Sequence, residues 1–174
     1  MQFTKTREVK SPCRANATDA GMDFFVPTDL NISDVCDKNK NSEVEAVIDF
    51  RGDNQNIGSF ILPPQERVLI PCGIHVKVPE GHALILFNKS GVATKLGLDI
   101  GACVVDEPYT GEVHINLINT TSKPVTIEAG QKIVQGLIIP INYSMPDEVK
   151  DLDTLYKDFE STRGAGGFGS TGVK

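Results

Sequence analysis

The chain has 174 residues, 40% of them hydrophobic, with 17 basic and 23 acidic side chains and a formal charge of −6; that is enough length for one globular domain with its own core. The acidic balance excludes a clamp on duplex DNA or RNA, which needs a basic face, but leaves open a small phosphorylated ligand held by local cations, glycine N–H groups and a metal. No stretch reaches 18 apolar residues, residues 1–7 carry no apolar signal segment, and Cys13, Cys36, Cys72 and Cys103 lack C-x-x-C spacing, so a reduced, cytoplasmic protein without a membrane span is expected.

In chain order, residues 31–57 form a polar interruption whose last part, 44–50, is strand-like and suited to local pairing. Strands are then expected at 58–62, 67–71 and 73–79; in the last of these, Ile74, Val76 and Val78 share one face against His75 and Lys77. A turn at Pro79-Glu80-Gly81-His82 leads to a short apolar strand at 83–87. A short helix is expected over 92–98. Residues 112–119 alternate, with Val113, Ile115 and Leu117 inward, and strands at 123–127 and 131–139 follow. Pro140 and Pro146 flank a linker, and Leu152, Leu155, Tyr156 and Phe159 recur at helical spacing, although that segment could also dock extended. Many short strands between Gly/Pro turns point to a barrel, sandwich or jelly roll.

Several residues are placed to do chemistry. Asp23 lies among apolar neighbours, where an acid either caps and pairs structurally or serves a metal site. Asn88-Lys89-Ser90-Gly91 brings a hydroxyl, an ammonium and backbone N–H groups to a strand-to-helix boundary, which suits a phosphate or a helix cap. Residues 101–112 describe a tight turn in which Asp106 can orient a water as general base and Tyr109 offers a ring; a plain hairpin with surface acids is the alternative. Gln135 needs hydrogen-bond partners if it points inward. His75, His82 and His114 lack ligand spacing and read as sheet-face or turn residues. The end of the chain, R-G-A-G-G-F-G-S-T-G-V-K, combines flexible glycines with Arg163, Phe168, Ser170 and Thr171, a set that fits a flap closing over a nucleotide phosphate better than a disordered tail, the alternative, because of the aromatic in its middle.

The order of these segments resembles the five motifs of the trimeric dUTP nucleotidohydrolase (dUTPase) family. They are Ala20-Gly21-Met22-Asp23-Phe24, Asn88-Lys89-Ser90-Gly91, residues 101–111 with Val105-Asp106 and Tyr109-Thr110-Gly111, Gly130-Gln131-Lys132-Ile133-Val134-Gln135, and residues 163–172. The resemblance implies an all-β, jelly-roll-like distorted barrel over residues 1–160, with the insertion around 31–57, and a glycine-rich arm over 161–174 that closes on the active site. It also implies a homotrimer with sites at subunit interfaces, hydrolysis of dUTP to dUMP and pyrophosphate, and Mg²⁺ as cofactor. By position, Asp106 activates the water that attacks the α-phosphate, and Tyr109 lies beneath the deoxyribose, excluding a 2′-hydroxyl. Backbone groups of Gly101, Ala102, Cys103, Val104 and Val105 read the uracil. Asp23 serves the metal through water. Lys89, Ser90, Gly91 and Gln135 contact phosphate. Arg163, Gly167, Gly169, Ser170 and Thr171 hold the outer phosphates while Phe168 stacks on uracil.

Two positions depart from the family pattern. Lys89 stands where the second motif usually has arginine, keeping the charge without the bidentate fork. Pro108 stands where the third motif often has a second acid, which stiffens the turn. The insertion offers a partner or regulatory surface and suggests a divergent, phage-encoded member working in a host cytoplasm. Alternative readings are a dCTP deaminase, alone or bifunctional, using Glu107 or Glu112 as its acid, and a trimeric nucleotide-binding regulator without turnover.

Overall fold

The structure, a computed structural model, describes residues 1–35, 45–48 and 56–167. It contains β1 (Gln2–Lys5), β2 (Met22–Phe25), α1 (Ile32–Val35), β3 (Glu45–Ile48), β4 (Ile57–Leu62), β5 (Arg67–Lys77) and β6 (His82–Asn88). There follow α2 (Ser90–Leu96), β7 (Leu98–Ala102), β8 (Val104–Val105), β9 (Glu112–Asn119), β10 (Val125–Glu128), β11 (Lys132–Pro140) and α3 (Leu152–Leu155). Residues 1–142 and 143–174 form separate compact units.

The first unit holds three antiparallel sheets, ordered β1-β5-β9-β7, β10-β4-β3 and β2-β11-β6-β8. The expected all-β, jelly-roll-like barrel is therefore corrected. No sheet closes on itself or curls strongly, and helices make the fold mixed. The physical reason lies in the pairing. Each sheet keeps two open edges, and register shifts interrupt β5–β9 and β7–β9. A barrel needs continuous pairing around the ring.

Within the sheets the expected patterning holds. Along β9, Val113, Ile115 and Leu117 are at most 1% exposed, while their neighbours His114 and Asn116 are half-buried. On β5, Val68, Ile70, Cys72 and Ile74 turn into the same core, each large aliphatic contributing about 1.5–3 kcal/mol by leaving water. The two strands expected at 67–71 and 73–79 are one, bulged where Gly73 adopts φ +70°. β3 pairs antiparallel with β4, the local pairing expected for the end of the polar interruption; most of that interruption lies outside the described residues.

The helix expected at 92–98 begins earlier, at Ser90, and stops at Leu96, because Gly97 takes the left-handed conformation (φ 64°) and its N–H closes on Ala93 O at 3.1 Å. In the second unit only one turn of the segment with helical spacing is helical. Asp151 caps it by accepting from Thr154 N at 2.8 Å. The Thr154 hydroxyl, donating to Asp151 Oδ1 at 2.7 Å, and then the Thr154 N–H hold the Asp151 carboxyl below its ordinary range.

Candidate active site

Three of the expected residues meet where β2, β11 and β6 lie side by side. Asp23 pairs with Gln135 in register, and Gln135 with Phe87. Asp23 is 6% exposed, yet its carboxylate is not isolated: the Lys89 ammonium donates to Oδ1 and Lys132 Nζ stands 3.4 Å from Oδ2. Two ammonium groups against one carboxylate leave a net positive spot on an acidic chain, and so a local attraction for anions. The role of Lys132 escaped the sequence reading; its place three residues before Gln135 in the fourth motif was the available signal, whereas its position opposite Phe25 in β2 is set by register.

Gln135 finds the partner its half-buried place requires, donating from Nε2 to Asn88 O at 2.9 Å. Its Oε1 occupies the space a side chain on Gly21 would need, so the first motif's glycine is a packing requirement. Asn88 is held by Ile100 N, which donates to its Oδ1 at 2.9 Å, and by its own amide donating to Asp99. Ser90 and Gly91 begin α2 and are exposed. Lys89 occupies the N-cap with an extended backbone and makes no side-chain cap bond. The capping alternative for this segment is therefore not used by the Lys89 side chain, whose ammonium is on Asp23.

The second group is the turn after β8. Asp106 is exposed, and its carbonyl accepts from Tyr109 N at 3.1 Å. The Tyr109 hydroxyl donates to Glu112 O at 2.9 Å, and the ring lies where any side chain on Gly111 would collide with it. His75 Nδ1 approaches Thr110 O at 3.0 Å. His82 and His114 likewise contact the carbonyls of Glu80 and Glu112, as sheet and turn residues do. Before this turn, Gly101, Ala102 and Val104 are exposed, Cys103 is half-buried and Val105 is 8% exposed. A cavity of about 480 Å³, within the range of small-molecule sites, opens between β1, the His75–Lys77 end of β5 and the turn carrying Tyr109.

The two groups do not meet within the unit. On β6, Val105 pairs with Leu84 whereas Val134, beside Gln135, pairs with Asn88. Four residues of extended strand separate those positions, roughly 13 Å, and Asp106 and Lys89 continue outward from opposite ends. In the second unit Arg163 Nε donates to Gly166 O at 2.7 Å, and Ser161 Oγ accepts from Arg163 N and Gly164 N. Phe168, Gly169, Ser170 and Thr171 lie outside the described residues.

Both acids named for a deaminase are already engaged. Glu107 accepts from Gly81 N at 2.8 Å, and Glu112 Oε1 accepts from Gly73 N at 2.7 Å and Arg7 Nε at 3.1 Å. Among the described residues no three His, Cys, Asp or Glu side chains gather to hold a metal, and the Asp23 oxygens face ammonium groups. That donor set fits Mg²⁺ carried largely by phosphate and water, the usual arrangement for this hard ion, and does not fit a protein-built metal cage.

The chain matches known proteins along most of its length. The dUTPase family profile covers residues 56–172. A deoxyuridine 5′-triphosphate nucleotidohydrolase of Wolbachia pipientis wMel is 31% identical over 167 residues, 95% of this chain and 88% of that protein. Among solved structures, a Staphylococcus bacteriophage 80alpha dUTPase with dUPNHPP superposes with a TM-score of 0.70 at 25% identity, covering 99% of this chain and 98% of the other. A variant dUTPase from phage phi11 of S. aureus, described as revealing the coordination of a structural Mg(II) ion, shares the fold at a TM-score of 0.62 and 23% identity, over 87% and 97% of the two chains. With more than half of the chain inside the family profile and a relative aligned almost end to end, the chain belongs to the dUTPase family.

Proposed function

We propose that the protein hydrolyses dUTP to dUMP and pyrophosphate at a site assembled from more than one copy of the chain. The activity itself follows from the family: the chain is a dUTP-hydrolysing enzyme. The observation that carries the composite site is the distance along β6. The Asp106–Tyr109 turn and the Asp23–Lys89–Gln135 cluster leave from opposite ends of one strand, whereas a nucleotide's base, sugar and phosphates need both at once. A homotrimer, with the turn of one copy facing the cluster of the next, supplies that meeting.

In this reading Asp106 accepts a proton from a water as the water oxygen bonds the α-phosphorus. The bond from that phosphorus to the bridging oxygen breaks, and pyrophosphate leaves with its electron pair. Tyr109, tethered by its hydroxyl, presents its ring to the sugar and leaves no room for a 2′-hydroxyl. The exposed backbone of residues 101–105 reads the uracil edge. Lys89, with Ser90, Gly91 and Gln135 beside it, faces the phosphates. Mg²⁺, when bound, offsets triphosphate charge and fixes its conformation. Asp23 orients the two lysines and would help to hold the metal indirectly, through water. The segment from Arg163 through Gly167, Phe168, Gly169, Ser170 and Thr171 closes over the outer phosphates and the base.

Pyrophosphate release with Mg²⁺ against dUTP, dCTP, dTTP and UTP tests the assignment, with products separated by chromatography. Release from dUTP alone, with dUMP as product, is the expected result. A uracil nucleotide formed from dCTP overturns it.

A further inference from the structure

One buried ionic network is not used by the reaction as described above. Arg7, between β1 and β2, forks onto Asp34 of α1, with Nη1 to Oδ2 at 3.0 Å and Nη2 to Oδ1 at 2.9 Å, while its Nε donates to Glu112 Oε1 at 3.1 Å. The three side chains are only 18%, 7% and 17% exposed. Burial lowers the Arg7 pKa, but hydrogen bonds and attraction from Asp34 and then Glu112 outweigh it, and the guanidinium is held above its ordinary value.

The geometry of Glu112 gives this network a direction. Glu112 is the first residue of β9 and pairs with His75 across the bulge of β5. Its carboxylate also accepts from Gly73 N at the bulge, where φ is +70° and an added Cβ would stand 2.6 Å from Arg7 Cβ. Arg7 therefore packs on the bulge and grips the side chain spanning it. The backbone carbonyl of the same Glu112 receives the Tyr109 hydroxyl. A fork held at both ends restrains orientation better than a single ammonium contact. The network thus ends on the ring assigned to sugar discrimination.

We infer that Arg7 is a positioning residue for 2′-deoxy selectivity, fixing the Tyr109 ring through Glu112, a role that rests on the proposed function of Tyr109. The ring rejects a 2′-hydroxyl only while it stays close to the sugar. Its tether is as firm as the residue whose carbonyl it uses.

The test is the ratio of kcat/KM for dUTP to that for UTP, measured on the full chain with Mg²⁺ for Arg7→Met, Tyr109→Phe, their double variant and Tyr109→Ala. Tyr109→Phe keeps the ring and deletes the tether. Arg7→Met and Tyr109→Phe should each lower the ratio, roughly tenfold, and the double variant should fall no further than the worse single. Arg7→Lys, which retains charge without the fork, should recover part of the loss. A merely structural Arg7 would lower Tm and leave the ratio unmoved, which overturns the inference. Should Arg7→Met fail to fold, Glu112→Gln takes its place, since it keeps an acceptor for Gly73 and weakens the grip of Arg7. If Tyr109→Ala lowers the ratio while Arg7→Met and Tyr109→Phe do not, the relay is wrong and the ring assignment stands. An unchanged ratio in Tyr109→Ala removes the ring assignment and this inference together.

Discussion

Lys89 donates its ammonium to the buried carboxylate of Asp23, joining the start of α2 to β2 across the sheet edge. The two residues are 66 positions apart and each answers a need of the other. Asp23, at 6% exposure, would be costly as an unpaired charge. Lys89 stands where the family usually places arginine. A single ammonium has no second fork, so the far side of Asp23 is completed by Lys132 at 3.4 Å.

Removing Lys89 should therefore harm the fold as well as the ligand site. Lys89→Ala leaves Asp23 with the half-exposed Lys132 as its remaining ion-pair partner among the described residues, and destabilisation of roughly 1–3 kcal/mol is expected. Lys132→Ala should cost well under half of that, because its ammonium is exposed. Urea unfolding of the two variants gives the comparison. Equal losses would show that Lys132 supports the carboxylate as much as Lys89 does and would overturn the ranking.

Asp106→Asn removes the proposed base without changing shape. Turnover should fall by roughly 10²–10⁴ with dUTP affinity retained; a fall of less than tenfold would remove Asp106 from its role. Ser90→Asp, which sets a carboxylate against the phosphates, should be inactive for lack of binding. Refolding the two inactive variants together should restore about a quarter of the sites, since each site then takes its turn and its cluster from different copies. No recovery in a mixed trimer would mean that each chain builds its own site.

Truncation after Ser161 deletes Arg163 and the glycine-rich end while leaving the sheets of residues 1–142 whole. The truncated chain should keep its thermal transition and lose kcat/KM for dUTP by about two orders of magnitude, as loss of a closing segment does. Unchanged kcat/KM would mean that the arm does not close over substrate.

Cys72 provides a pH prediction independent of catalysis. Burial pushes its thiol from 9.0 up to about 12. The unfolded thiol ionises first as pH rises, so the unfolded state sheds protons that the folded state keeps. The thiol's contribution to stability is thus fully present below pH 9 and declines between about 9 and 12, by up to about 1.4 kcal/mol per pH unit. Cys72→Ala should be less stable at pH 8, from lost packing, yet lose less than the wild type between pH 9 and 11. Parallel declines, measured by urea unfolding at each pH, would contradict the burial argument.

How far the sequence reading reached depends on the range of the forces involved. The strand at 112–119 was legible because alternation along a half-buried strand is a local consequence of its pleat. α2 ends at Leu96, two residues short of the expected end, because the left-handed cap at Gly97 is a backbone property that residue type only suggests. The network of Arg7, Asp34 and Glu112 was invisible. Its members are 27 and 105 positions apart, and no periodicity connects them. The barrel fails for another reason: most of the expected strands form, although 67–71 and 73–79 are one and β1, β7 and β8 stand outside the expected set, whereas closure depends on which edges pair.

By itself, the sequence determined the family and the chemical inventory, because motif order and residue types are one-dimensional properties: an acid and a ring in one turn, a lysine and a serine at a helix start, a glutamine in a strand, a glycine-rich end. Only the tertiary structure decided that Lys89 and Lys132 share Asp23, that Glu107 and Glu112 are held in structural contacts, and that Arg7 leads to Tyr109. It also decided that the sheets stay open and that the turn and the cluster leave opposite ends of β6. Those facts depend on strand register and edge pairing, which are set by distant segments packing together and leave no local trace in the chain.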